Sequence, residues 1–131
     1  MKESTIRVLK VAPGEHPIVC TLKNDLKSLQ VAVSEGADHV GLIEIIGLNS
    51  HINLVCNESA KLIGLPPNRS LGVDVICGTF YITGQDDEGE LASLTDEEIQ
   101  TYMQRFWLPE LFFFRDPDTF FWGGFVEEDE K

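Results

Sequence analysis

The chain has 131 residues, of which 43% are hydrophobic and 24% charged, and its formal net charge is −12 at pH 7. This length and composition are typical of one globular domain with a hydrophobic core, and they exclude a disordered chain. The charge argues against direct nucleic-acid binding, because a protein that contacts phosphates needs a basic surface.

Secretion and membrane insertion are also disfavoured. The first 14 residues include polar side chains where a signal peptide needs an apolar core, and no apolar run approaches the roughly 18 residues that span a bilayer. The cysteines, Cys20, Cys56 and Cys77, are odd in number and lie in β-patterned runs, which favours buried reduced thiols. We therefore expect a cytoplasmic protein that does not contact a membrane.

The first half of the chain predicts two β-hairpins on either side of a short helix. The hairpins pair residues 6–11 with 18–22 and residues 40–48 with 52–56. The helix covers residues 25–34, is capped at its start by Asn24 or Asp25, and ends near Gly36.

The middle of the chain holds two further β-patterned runs, residues 61–65 and 74–83, with an elbow between them at Pro66-Pro67-Asn68-Arg69. Two prolines fix φ and lack a backbone donor, so we expect the first strand to stop there. The second run is the most continuous β-branched and aromatic segment, which predicts the centre of a sheet.

The last third begins with a helix signal. Thr95 and Glu98 have the spacing of a capping box, and apolar residues then follow at helical spacing, which predicts a helix over residues 96–106. Pro109 then ends or kinks this helix.

An aromatic tail follows the helix. Of the 12 aromatic residues in the chain, 9 lie between Phe106 and Phe125. Each ring buries roughly 150–250 Å² when it is covered, so the tail must pack on its own sheet, pack on another subunit, or form a docking patch. We expect a core domain over 1–106 and an extension over 107–131, with a homodimer through residues 107–125 as one outcome.

These elements predict an α+β fold. The expected order is ββαββββα, with an antiparallel or mixed sheet of five to six strands, two helices and an aromatic C-terminal extension.

Several motifs place the chain beside a known family. They are IRVLKVxPG from residue 6, DLxSLQ from residue 25, LVCNE from residue 54 with GLPPNR from residue 64, GTFYI from residue 78 and SLTDEEI from residue 93. This pattern resembles the domain of unknown function 3846, which is common in bacteriophages and conjugative elements of Gram-positive bacteria. The resemblance covers about residues 5–106, implies a mobile-element setting, and transfers no catalytic residue.

The sharpest polar set is Asn57, Glu58, Asn68 and Arg69. A guanidinium beside a rigid elbow can clamp a carboxylate or a phosphate of a ligand. The alternative is that Arg69 pairs with Glu58 or caps the turn internally.

No metal site, cofactor or catalytic group is expected. His16, His39 and His51 are scattered and have no metal-ligand spacing with one another or with a cysteine. Glu44, Glu58 and Asp74 can act as acid or base in principle, but no paired arrangement supports that chemistry.

The negative charge is unevenly distributed. Residues 1–83 carry eight acids and seven bases, giving −1, whereas residues 84–131 carry fourteen acids and three bases, giving −11. Seven of these acids lie close together in the chain, namely Asp86, Asp87, Glu88, Glu90, Asp96, Glu97 and Glu98. They form either a solvated surface or a surface that competes with DNA or RNA for a basic protein groove.

Two functions are consistent with these patterns. The first is a non-enzymatic accessory protein of a phage or mobile element that binds a basic host or defence protein, as an acidic nucleic-acid mimic of the anti-restriction or anti-CRISPR type. The second is a small oligomeric adaptor that uses the phenylalanine-rich tail for self-association.

Overall fold

The computed structural model describes residues 3–35 and 37–127. Two helices and ten strands form within these ranges. They are β1 (Thr5–Val11), β2 (Ile18–Lys23), α1 (Leu26–Val33), β3 (Ile43–Gly47), β4 (Ile52–Asn57), β5 (Pro67–Leu71), β6 (Asp74–Cys77), β7 (Phe80–Gln85), β8 (Leu91–Ala92), α2 (Asp96–Arg105), β9 (Glu110–Asp116) and β10 (Thr119–Phe125).

The main sheet has six antiparallel strands. Five of them lie in the order β2-β1-β7-β4-β3, and the short β8 pairs with the end of β7. The α+β class, the two helices and the number of strands are thus as expected. The apolar segment Phe80–Gln85 occupies the centre of the sheet, because its side chains are buried on both faces.

Each face of the main sheet packs against one helix. On one face, Leu9, Phe80 and Ile82 contact Ile99 and Phe106 of α2 and its C-terminal end. On the other face, Leu29 and Val33 of α1 join the second buried cluster, which includes the following strand residues: Ile6, Val8, Val55 and Tyr81.

The helix caps follow the sequence signals. The Asp25 carboxylate accepts from the Ser28 amide at 2.8 Å, so α1 begins at the predicted residue. The Thr95 hydroxyl accepts from the Glu98 amide at 3.1 Å, and the Glu98 carboxylate accepts from the Thr95 amide at 2.8 Å. The capping box is therefore confirmed. Gly36, the predicted end of α1, lies outside the described residues.

The predicted order ββαββββα is wrong in three places, one of which is the additional short strand β8 (Leu91–Ala92) before α2. Residues 74–83 form two strands, because Gly78 has φ +76° and turns the chain between β6 and β7. β6 pairs with β5 in a separate hairpin, whereas β7 belongs to the main sheet. The aromatic tail adds β9 and β10, which form a third sheet of their own.

The prediction for the proline elbow is also wrong. Residues 61–64 form turns, with Gly64 at φ +78°, and the strand begins at Pro67. A proline is tolerated as the first residue of a strand, where its missing N–H removes no essential bond. In the preceding hairpin, β3 likewise begins at Ile43 rather than at residue 40.

Neither helix of the described part of the chain is long and apolar enough to cross a membrane.

The turn at Gly78 yields a stability prediction. A Cβ at this position would lie 2.8 Å from Leu65 Cδ1, and the positive φ is unfavourable for any L side chain. We expect Gly78→Ala to lower the free energy of unfolding by about 2–4 kcal/mol, as measured by urea denaturation.

Gly14→Ala is the matched control, because Gly14 has φ +75° and a Cβ added there would meet nothing within 4 Å. We expect Gly14→Ala to lower the free energy of unfolding by about 1–2 kcal/mol, the cost of placing a Cβ on a residue with positive φ. Equal costs for the two variants would show that the contact with Leu65 carries no energy.

Candidate binding surfaces

Arg69 is fully buried and connects three separate parts of the chain. Its guanidinium donates to the Phe106 carbonyl from Nε at 3.2 Å and from Nη2 at 3.0 Å, and to the Glu15 carbonyl at 2.6 Å. Nη1 donates to the Asn68 carbonyl and to Asn68 Oδ1 at 2.7 Å. All five N–H groups are thus used inside the protein, and none reaches Glu58.

Asn68 completes this network. Its side-chain amide donates to the carbonyls of Val11 and Gly78 at 2.9 and 2.8 Å. We call Asn68 and Arg69 the buried hub, because together they hold the end of β1, the turn before β7 and the end of α2. The elbow is therefore rigid, as the prolines indicated, but its polar groups face inward.

The charge of the hub is balanced without a direct ion pair. Burial lowers the pKa of Arg69, whereas the nearby Glu110 carboxylate raises it. The Phe106 carbonyl lies at the C-terminal end of α2, where the helix dipole is negative and favours a cation. Glu110 in turn accepts from the Ser70 amide at 2.8 Å and from the Trp122 indole at 2.9 Å.

Asn57 and Glu58 belong to a different neighbourhood. Asn57 is buried; its Oδ1 accepts from the Ser59 amide at 2.9 Å, and its Nδ2 donates to the Val33 carbonyl at 3.4 Å. Glu58 is exposed and uses its backbone N–H to bind the Leu42 carbonyl. The four residues of the predicted set therefore do not form one site: Asn68 and Arg69 share the hub, whereas Asn57 ties β4 to the end of α1.

Asn57 and Glu58 both line a cleft of about 220 Å³ between the β3–β4 hairpin and the β5–β6 hairpin. The cleft brings together the three carboxylates that the sequence singled out as acids or bases, Glu44, Glu58 and Asp74. Lys61, Cys56 and Cys77 line it as well. Sequence separation concealed this grouping, because the carboxylates belong to three different segments.

Near neutral pH, neither the Cys56 thiol nor the Lys61 amine of the cleft is a strong nucleophile. Burial, with the Glu44 carboxylate as a smaller cause, raises the pKa of Cys56 to about 12. The ion pair between Lys61 and Asp74 raises the pKa of Lys61 and lowers that of Asp74. The Cys56 thiol therefore stays protonated near neutral pH, and the Lys61 ammonium group stays charged and paired with Asp74.

Seven of the fourteen acidic residues of the last third belong to two segments that flank the short strand β8. Asp86, Asp87, Glu88 and Glu90 occupy the turn between β7 and β8, and Asp96, Glu97 and Glu98 occupy the first turn of α2. The chain between these two segments lies beside β1, since the Leu94 amide donates to the Arg7 carbonyl at 2.9 Å. We call this group the acidic end.

The acidic end is ordered by its own hydrogen bonds. One oxygen of Asp86 accepts from the amides of Glu88 and Glu90, both at 2.9 Å. Arg7 forms an ion pair with Asp96. Glu3, for which the sequence carries no signal, adds a further carboxylate by accepting from the Ser93 amide and hydroxyl at 3.0 and 2.9 Å.

The aromatic tail forms an antiparallel hairpin of β9 and β10, which we call the aromatic hairpin. Phe120 is half-buried and packs against the cluster of Ala60, Leu65 and Cys77. By contrast, Leu111, Phe113, Phe114, Phe121, Trp122 and Phe125 are exposed. The tail thus packs partly on its own domain and leaves a large apolar surface in solvent.

The acidic end and the aromatic hairpin lie at opposite ends of α2. The helix begins at Asp96, beside Arg7, and ends near Phe106, where the hub and the base of the hairpin lie. Ten helical residues span about 15 Å. The stacking of His16 on Trp107, with ring centroids 3.9 Å apart, holds the start of the tail.

The described residues contain no cluster of three or more histidine, cysteine or acidic side chains that could hold a metal ion.

A protein-family model matches most of the chain. The model of a domain of unknown function (DUF3846) matches residues 6–107, so the match ends before the aromatic hairpin. No curated protein and no solved structure matches the chain.

The hub yields a second stability prediction. Arg69→Met leaves the carbonyls of Phe106 and Glu15 and the Asn68 side chain without their donors, so we expect a loss of about 3 kcal/mol or more in the free energy of unfolding. Arg69→Lys should not restore it, since an ammonium group has three donors rather than five. Urea denaturation measures both.

Arg7→Met is the control, because the ion pair of Arg7 with Asp96 is solvent-exposed and worth about 0–1 kcal/mol. If Arg69→Met lowers the free energy of unfolding by less than about 1 kcal/mol, water replaces the hydrogen bonds of the guanidinium without a large loss of stability.

The cleft yields a prediction on thiol reactivity. Because the pKa of Cys56 is raised to about 12, only about a thousandth of this thiol is deprotonated at pH 9. We expect alkylation of Cys56 in the folded protein to be slow at pH 9 and to become rapid in urea, where the pKa returns to about 8.5. Mass spectrometry of the alkylated peptides measures this.

Glu44→Gln removes the smaller cause of the shift and should accelerate the reaction only modestly, because burial is the larger cause. Rapid alkylation of Cys56 in the folded wild type would contradict the assigned protonation state.

Proposed function

The chain belongs to the family of this domain of unknown function, and we propose that it is a non-enzymatic accessory protein of a bacteriophage or another mobile element. In this proposal the acidic end binds a basic protein of the host or of its defence system. The carboxylates take the place of nucleic-acid phosphates in a basic groove, as in an inhibitor of the anti-restriction or anti-CRISPR type. The mobile-element setting comes from the resemblance of the sequence motifs.

The arrangement of the acidic end is the observation that carries this proposal. Seven carboxylates lie on two segments of this end, the carboxylate of Glu3 adds an eighth, and Arg7 forms an ion pair with Asp96. Such a surface raises the rate of encounter with a basic partner and selects against acidic ones.

The two acidic segments have well-defined backbone conformations. The turn at Asp86 and the capping box of Thr95 and Glu98 fix the backbone that carries the acids. A preorganised array of charges loses less conformational entropy on binding than a flexible acidic tail does. The acidic end is therefore better suited to a defined groove than to non-specific attraction.

Capture from a host lysate tests the proposal. The immobilised wild type should retain a basic protein that duplex DNA or RNA displaces, and retention should fall as the salt concentration rises from 0.1 to 1 M, where the screening length shrinks from about 10 Å to about 3 Å. The triple variant Asp87→Asn, Glu90→Gln, Glu97→Gln should weaken the complex by about threefold to 150-fold, at roughly 0.2–1 kcal/mol per charge.

The control variant removes the same number of charges elsewhere, as Glu15→Gln, Asp38→Asn and Glu127→Gln. It should retain the partner as the wild type does. If the two triple variants lose the same amount of partner binding, the effect depends on net charge and not on the acidic end. A retained partner that nucleic acid does not displace would rule out mimicry.

A further inference from the structure

A groove lies on the main sheet beside the C-terminal end of α1, and we call it the α1 groove. It has a volume of about 440 Å³ and is formed by the last turn of the helix, the loop that follows it and one residue of the central strand. Its apolar lining consists of Val31, Ala32, Ala37 and Val40. None of the described residues that line it belongs to the acidic end or to the cleft, so it is a separate candidate site.

Hydrogen bonds and an ion pair hold the loop that forms the α1 groove. The Ser34 hydroxyl accepts from the Gly41 amide at 2.9 Å, and the Ser34 carbonyl accepts from the Ala37 amide at 2.9 Å. Lys10 of β1 forms an ion pair with Glu35 at 2.9 Å, which ties the end of α1 to the sheet. These contacts define the shape of the groove.

Tyr81 brings to the groove a polar group that the protein itself does not use. It lies on β7 opposite Lys10 of β1, and only 4% of its surface is exposed. Its hydroxyl forms no hydrogen bond with any described residue, although a buried hydroxyl without a partner costs free energy. Burial raises the pKa of Tyr81 to about 12, with Cys20 and Glu35 as smaller causes. The phenol is therefore neutral near neutral pH, and its oxygen is free to accept a hydrogen bond.

The charge around the α1 groove favours a cation. Lys10 neutralises Glu35, whereas Asp38 is exposed and has neither a hydrogen bond nor an ion pair within the described part of the chain. His39 is the remaining titratable side chain of the lining. The C-terminal end of α1 is the negative end of the helix dipole, and its last turn carries no basic residue. An anion is therefore disfavoured at this site.

From these features we propose that the α1 groove binds a small organic cation, in which an ammonium or amidinium group is attached to an apolar body. The N–H groups of the cation donate to the Tyr81 oxygen and to the Asp38 carboxylate, both of which can accept. The apolar body lies against the valine and alanine side chains of the lining.

The size of the groove favours a free small molecule over a protein surface. Pockets for small ligands have volumes of roughly 300–1,000 Å³, and the α1 groove lies within this range. A stable protein interface buries about 800 Å² per partner, whereas Val31 and Val40 are the two exposed large hydrophobic residues that line this groove in the described structure.

An NMR titration of the full chain with three probes tests the proposal. Benzamidinium, benzamide and benzoate have nearly the same shape and differ in charge. The amide signals of residues 31–35 and 37–40 should shift and saturate with benzamidinium, shift less with the same concentration of benzamide, and stay unchanged with benzoate. Equal shifts with all three probes, or benzamidinium shifts confined to other residues, would overturn the inference.

Tyr81→Phe separates ligand binding from stability, because it removes the hydroxyl alone. It should weaken benzamidinium binding by about two- to twelvefold, as expected for one hydrogen bond. Its urea midpoint should equal that of the wild type, because the hydroxyl has no partner among the described residues. Unchanged benzamidinium binding, or a lower urea midpoint, would contradict the role given to this hydroxyl.

Asp38→Asn tests the charge of the site. It should weaken benzamidinium binding by about 1.5-fold to fivefold, the range of an exposed ion pair. The matched control Asp118→Asn removes the same charge from the exposed turn between β9 and β10 and should bind benzamidinium as the wild type does. If both variants lose the same affinity, the attraction depends on net charge and the α1 groove is not the site.

Discussion

The rest of the structure depends on the guanidinium of Arg69. It satisfies the carbonyls at the end of α2 and in the loop after β1, while Asn68 holds the end of β1 and the turn before β7. A buried cation without a directly bonded carboxylate is stable here because every N–H has an acceptor and the helix end is negative. This network connects the main sheet to the β5–β6 hairpin and to the base of the aromatic hairpin. It therefore positions both the cleft and the aromatic hairpin.

The elements with strong local signals could be predicted from the sequence. The two N-terminal hairpins, α1 with its Asp25 cap, α2 with its capping box and the central position of Phe80–Gln85 follow from periodicity and cap chemistry. The errors fall where one residue decides the outcome. Gly78 looks like a tolerated interruption of an apolar run, but its positive φ divides the run between two sheets.

The candidate sites were harder to predict, because they depend on contacts between distant segments. No pattern along the chain shows that Asn68 and Arg69 face inward or that Glu44, Glu58 and Asp74 line one cleft. The composition shows that the last third is acidic, and it predicts covered aromatic rings, whereas Phe113, Phe121 and Phe125 are at least half exposed in the structure. Composition could not show that the acidic end and the aromatic hairpin lie at opposite ends of α2. This separation allows each surface to contact a different molecule.

The order of strands in the main sheet also bears on how the chain folds during synthesis. The β1–β2 and β3–β4 hairpins touch neither each other nor a common strand until β7 is inserted between β1 and β4. Pairing of Val11 with Phe80 closes a loop of nearly 70 residues, and such distant contacts make folding slow. The main sheet therefore closes only after residue 80 has been synthesised, and until then helix α1, which contacts β2, β3 and β4, is the element between the two hairpins.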